Sequence, residues 1–248
     1  MTVQNHQNKN IPFLRLLKFA PFLHPVIRLI YKRQSPLLKK EVMGLSFSSP
    51  VGVAAGTDRR GEYSDVISCF SPGFVEIGPL RDVRFAIQNL TQRKDDIVVL
   101  ANLSNTQNLV HAFSLIYDFA DAIVLNVSKG SSVSAVIDHL LELRRYNDAY
   151  KPILFKIFPD LMTDQLDSVT TFMLGSGIDG AIVGAEFVER VREKTLGLIP
   201  IIATAEISVP ERAAQILDSG ADLIAVTNSP VHYGPKLIKR INKHLEKR

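Results

Sequence analysis

Pro200-Ile-Ile-Ala-Thr-Ala-Glu206 is a short apolar run that opens on a proline and closes on a carboxylate. Runs of this kind recur along the chain. They begin near Val51, Phe74, Ile97, Ala122, Pro152, Asp179, Pro200 and Asp222, most are rich in Val, Ile and Ala, and each precedes a stretch able to form a helix. Eight strand–helix units predict a (β/α)8 barrel, whose chemistry sits at the C-terminal ends of its strands. A doubly wound open sheet also alternates strands and helices, but no dinucleotide fingerprint follows the first run, and eight units favour closure. The loops after strands seven and eight of such barrels frequently bind phosphate. Here the seventh run ends in Ala205-Glu206 instead of a glycine cradle.

Working outward, the strands are expected to end near Ala55, Gly78, Asn102, Asn126, Lys156, Gly184, Ala205 and Thr227, all on one face. The first run leads into Gly56-Thr-Asp58, small residues that let a ligand approach the backbone. The fifth places the ammonium of Lys156 at the end of Ile153-Leu-Phe. Helices are expected over 62–70, from Asn105, around Val136, Leu140 and Leu143, from Thr163 to Gly175 or Gly177, and over 186–193. Ser208-Val-Pro-Glu211 reads as a capping box.

A chain of 248 residues, 46% hydrophobic, can bury a substantial core without a second domain. Its single cysteine, Cys69, excludes an internal disulfide and fits a reducing, cytoplasmic setting. No uncharged apolar run is long enough to span a bilayer, and Arg15, Lys18, Arg28 and two prolines argue against a cleaved signal. The net charge of +4 hides an asymmetry: residues 1–40 hold basic side chains and no acidic one, so the remainder is mildly acidic. A general nucleic-acid surface is therefore not expected. The chain divides into a basic apolar helical arm, 1–45, and a barrel, 46–248. Residues 11–31 should form two helices split around Pro21–Pro25, with Phe13, Leu16, Leu17 and Phe22 on a shared apolar surface. Such an arm suits peripheral attachment to the inner face of a membrane, or else caps the bottom of the barrel. The six histidines show no metal-ligand spacing, and there is neither a P-loop nor a Gly-x-Ser-x-Gly elbow.

Gly44-Leu-Ser-Phe-Ser-Ser-Pro-Val-Gly-Val-Ala-Ala-Gly-Thr-Asp-Arg-Arg-Gly-Glu62 resembles the opening of the class 2 dihydroorotate dehydrogenases, membrane-associated FMN enzymes of pyrimidine synthesis that pass electrons to quinone. Further matches are Gly73-Phe-Val-Glu-Ile-Gly78, Asn126-Val-Ser128, Lys156-Ile-Phe-Pro-Asp-Leu161, Gly177-Ile-Asp-Gly180, Gly220-Ala-Asp-Leu-Ile224 and Tyr233-Gly-Pro235, covering residues 10–248 with large deletions. The resemblance implies a TIM-barrel flavoprotein oxidoreductase. It gives Ala55 and Gly56 to the platform under the flavin, Asn102 and Asn126 to flavin or substrate contacts, Lys156 to the electron-rich side of the isoalloxazine, and Arg59 to substrate binding in place of a lysine.

The departures fall on the same map. Lys129 occupies the position of the proton-abstracting Ser or Cys, and a lysine with an ordinary pKa near 10.4 cannot take a proton at neutral pH. Ser131 stands for the substrate asparagine, Gly184-Ala185 for a Thr-Asn pair, Ala205-Glu206 for Gly-Gly, and Thr227-Asn228 for an aromatic-Thr pair. A carboxylate about 5 Å from a dianionic phosphate costs several kcal/mol even at an effective dielectric of about 20. Three functions remain open: a barrel of this family with impaired or lost FMN binding and catalysis, an active FMN-dependent dihydroorotate oxidoreductase, or a non-catalytic binding or regulatory protein.

Overall fold

A computed structural model describes residues 11–31, 35–103, 108–127, 133–158, 163–227, 234 and 236–248. The chain opens with α1 (Ile11–Phe19), a 3-10 turn (Pro21–Leu23) and α2 (His24–Tyr31), then a hairpin of β1 (Lys40–Val42) and β2 (Leu45–Phe47). Eight strand–helix units follow: β3 (Val51–Asp58) and α3 (Ser64–Ser68); β4 (Phe74–Ile77) and α4 (Val83–Leu90); β5 (Val98–Asn102) and α5 (Leu109–Ile116); β6 (Ala122–Val127) and α6 (Val133–Arg145). The second half comprises β7 (Ile153–Ile157) and α7 (Thr163–Ser176); β8 (Gly180–Gly184) and α8 (Val188–Lys194); β9 (Ile201–Glu206) and α9 (Pro210–Asp218); β10 (Leu223–Thr227) and α10 (Lys236–Leu245). Strands β3 to β10 are parallel in sequential order, and β10 closes on β3. The (β/α)8 barrel expected from eight apolar runs is the fold.

Strand parity divides the core in two. Ala54, Phe74, Leu100, Val124, Leu154, Ile182, Ile202 and Ala225 point into the barrel, while residues such as Val53, Val75, Val99, Ile123 and Ile201 pack outward under the helices. The hairpin plugs the N-terminal end: Phe47 is fully buried and meets Phe74 edge to face at 5.7 Å. Gly180 makes room for this plug, since a Cβ there would lie 2.5 Å from the sulfur of Met43. The boundary expected at residue 45 thus falls inside a hairpin that belongs to the barrel.

Three helix-to-strand turns at the same end share one device. Asp121, Asp179 and Asp222 each donate a backbone N–H to the carbonyl of Val99, Ile153 or Ile201 on the preceding strand. Each accepts that residue's own N–H on Oδ2 at 2.8 Å. An arginine from the helix that leads into that strand, or from the turn after it, backs each carboxylate: Arg93, Arg144 and Arg192. Amides at the starts of β5, β7 and β9, those of Val99, Ile153 and Ile201, are satisfied in this way.

Two local expectations are corrected. The box at Ser208 and Glu211 does not form: the N-cap is Val209, without a side-chain cap, and α9 begins at Pro210. Proline prefers the first helical position and holds its predecessor extended, which moves the start one residue on. The helix after the first strand is also shorter than 62–70. The buried carboxylate of Asp58 takes the amides of Glu62 and Tyr63 at 2.9 and 2.8 Å, so the chain turns there before α3 begins.

The arm forms the two helices expected. It lies along α3, with Leu14 and Leu17 buried and Phe13 and Tyr31 against Phe70. Leu17 therefore leaves the apolar surface it was expected to share, and Leu16 and Phe22 remain exposed.

Candidate functional site

Parity also determines which side chains line the barrel mouth. Continuing each inward series upward brings Gly56, Glu76, Asn102, Asn126, Lys156, Gly184, Glu206 and Thr227 to its C-terminal end. Four of these residues form one polar cluster. Lys156 Nζ lies 2.7 and 2.8 Å from the two oxygens of Glu76. Asn102 Nδ2 donates to Glu76 Oε1 at 2.7 Å and to Asn126 Oδ1 at 3.2 Å. Asn126 sits in register with Lys156 across β6 and β7.

Ala55 joins the cluster through its backbone. The pairing of β3 with β4 shifts register between Val53 and Asp58, and this irregularity turns the Ala55 N–H to Glu76 Oε2 at 3.0 Å. Such bulges re-aim groups beside active sites. Gly56 follows at φ +101, a conformation that favours glycine, and a Cβ there would meet nothing within 4 Å. Ala55 and Gly56 thus offer an open backbone platform beside a hydrogen-bonded polar set.

The structure brings Ala55, Gly56, Asn102, Asn126 and Lys156 together at the mouth. Arg59 is exposed on the rim, in a cleft of about 470 Å³ shared with Arg60, Pro79, Arg81, Asp82 and Phe85. The Arg60 guanidinium lies over the Phe85 ring, 5.3 Å from its centre. Lys129, Ser128, Ser131 and Asn228 lie outside the described residues. Two groups missed in the sequence are carboxylates. Glu76 hides within an otherwise apolar strand. Glu186, after β8, folds back so that its oxygens would lie 2.7 Å from a Cβ on Gly184. Glu206, the last residue of β9, is exposed beside Thr227 of β10.

Among the described residues, those at the mouth fit the ring of a flavin better than its phosphate. The ring side has an open platform, two amides and a lysine. The phosphate side has Glu206 at the strand end and an α9 whose first helical residue, Pro210, has no N–H to offer. Among the described residues, no group of three or more His, Cys, Asp or Glu could hold a metal ion.

No protein-family model matches the chain. Its curated relatives include the quinone-type dihydroorotate dehydrogenase of Vibrio vulnificus strain YJ016, 24% identical over 316 positions that cover 94% of each chain. The corresponding protein of Roseiflexus sp. strain RS-1 is 26% identical over 95% of this chain and 87% of its own. Both alignments are longer than the 248 residues of this chain, so segments are missing within the match. Among solved structures, Eimeria tenella DHODH in complex with ferulenol superposes with a TM-score of 0.77 at 19% identity, covering 99% of this chain and 92% of that one. A mandelate oxidase mutant carrying an FMN adduct shares the barrel at a TM-score of 0.61 and 10% identity, over 85% of this chain and 77% of that one. With sequence similarity spread along nearly all of both chains, on the same barrel, this chain is a shortened and diverged relative of the quinone-type dihydroorotate dehydrogenases.

Proposed function

We propose that this barrel keeps the flavin-ring half of a dihydroorotate dehydrogenase site and has lost both its phosphate half and its base. One observation carries the reading: Ala55, Asn102, Asn126 and Lys156 stand together around an open platform, while an exposed carboxylate ends β9. Lys129 at the base position removes dihydroorotate oxidation independently of cofactor binding. The arm supports a second element of the proposal, peripheral attachment to a membrane. Phe19, Phe22 and Leu29 are 82%, 76% and 85% exposed, a patch with an apolar destination.

Titration with FMN and with riboflavin, followed by flavin fluorescence, separates the two halves. FMN should bind weakly, and Glu206→Gly should tighten it at least tenfold, roughly 1.4 kcal/mol. Riboflavin, which lacks the phosphate, should change by less than about twofold, under 0.5 kcal/mol on the same scale. Neither protein should oxidise dihydroorotate with a quinone acceptor. Tight FMN binding by the unmodified chain, or turnover with Lys129 in place, would instead establish an active flavoenzyme.

A further inference from the structure

Glu76 has no exposed surface, and a carboxylate in that position needs full compensation. It receives this from four hydrogen bonds: one from the Ala55 amide, one from Asn102 and two from Lys156. An ammonium carries three N–H donors, and two of those on Lys156 are committed to the two oxygens of this one carboxylate. Lys156 keeps only 15% of its side chain exposed, and its charge is matched before any ligand arrives. Both groups reach the same level of the mouth because β4 and β7 each turn an inward position there, so the pair spans the lumen between strands that are not neighbours.

We infer that Glu76 is a positioning residue: it fixes the Lys156 ammonium and the Asn102 amide in the floor of the mouth and neutralises the ammonium. A planar ligand on Ala55–Gly56 therefore meets a dipolar ion pair and not a lone cation. A lone ammonium beneath a flavin ring favours the reduced anion, whereas a neutralised pair favours it far less. The identity of that ligand rests on the flavin-ring reading above. The placement of Lys156 does not.

The test pairs a readout without flavin and one with it. In the first, the full chain is acetylated at fixed pH and the modification of Lys156 is quantified by peptide mass spectrometry, relative to exposed Lys94 in the same sample. Glu76→Gln should raise the Lys156 rate at least tenfold over Lys94 while the protein stays folded by circular dichroism. Glu76→Asp, which retracts the carboxylate without removing its charge, should give an intermediate rate and covers the case in which Glu76→Gln does not fold. In the second, the midpoint potential of bound riboflavin should move positive in Glu76→Gln by about 30 mV, a tenfold change in the preference for the reduced form. An unchanged Lys156-to-Lys94 ratio in the folded variants would overturn the inference, whatever riboflavin does. A raised ratio in a protein that binds no riboflavin would uphold the positioning role and sink the flavin-ring reading alone.

Discussion

Two aspartates, one fully buried and one partly so, show how the same side chain is tolerated by different means. Asp58 accepts three backbone amides, from Arg60, Glu62 and Tyr63, yet burial still pushes its pKa up to about 6. Asp95 has fewer donors. Burial, with the carboxyl of Asp65 alongside, pushes it up to about 7, and its Oδ2 is a buried atom with no donor partner. The two carboxyls titrate as a pair whose shared proton rests on Asp95: burial raises Asp65 as well, but hydrogen bonding to Asp95 and to the Lys94 amide holds it below its ordinary value. The folded chain holds this proton more tightly than the unfolded one, so stability is lost as pH rises from the ordinary 3.8 towards about 7. Asp95→Asn supplies a permanent donor. It should stabilise the protein at pH 8 by about 1 kcal/mol, discounted for partial exposure, and do little at pH 5. Thermal melts at both values check this, and an equal shift at both would count against the shared proton. Legibility at this scale was uneven for a related reason. Lys156 was conspicuous as a charge ending an apolar run, whereas Asn102 and Asn126 were named only through the family resemblance. Glu76 sits mid-run, and only its parity with Phe74, which points into the barrel, reveals that it needs a cation across the lumen.

Elements were easier to read than their ends. All eight strand ends emerged within a few residues of their expected places, because an apolar run buried on both faces cannot continue into solvent. Helix starts depend on competing local bonds, and there the pattern misled at Ser208, where Pro210 took the first helical position. The Gly-x-Asp motifs at Gly177 and Gly220 were visible, but not their purpose, since the amide each aspartate holds belongs to the preceding strand. That purpose yields a prediction. Asp222→Ala strips the Ile201 N–H of its acceptor and leaves Arg192 without a carboxylate. A bond from a backbone amide to a charged group is worth about 1.5–3 kcal/mol, so urea unfolding should show a loss of about 2 kcal/mol. Asp222→Asn, which keeps an acceptor oxygen, should lose roughly half as much. Equal losses for the two variants would mean that the arginine, and not the amide, is what matters.

At the scale of the molecule, the arm turns two of its cations inward and much of its apolar surface outward. Composition showed it to be basic and apolar but not which way each property faces. Lys18 reaches Glu62 at 3.6 Å and Arg28 reaches Ser68 at 3.1 Å, so both cations turn towards α3 and the segment before it. Together with His24, Glu62 and Asp65 they line a groove of about 490 Å³ between arm and barrel. Leu16, Phe19, Phe22, Val26, Leu29 and Ile30 face solvent instead. Leu14 and Leu17, on the inward face, are part of the main core, so deleting the arm would confuse unfolding with loss of binding. Point substitutions avoid this. Leu14→Ala should cost about 3 kcal/mol of stability. Phe19→Ser, Phe22→Ser and Leu29→Ser together should shift stability by no more than roughly 0.5 kcal/mol per site, because they bury nothing in the free protein. The same triple variant should lose flotation with lipid vesicles. Lys18 and Arg28 are engaged on the barrel and Arg15 is the one exposed cation on the described arm helices, so attachment should rest on apolar insertion more than on anionic headgroups. Neutral phosphatidylcholine vesicles should therefore capture the unmodified protein, and salt at roughly 0.5 M, where screening acts over only a few ångströms, should release little of it. Release by salt, or flotation of the triple variant, would show that the exposed face is not what holds the arm to lipid.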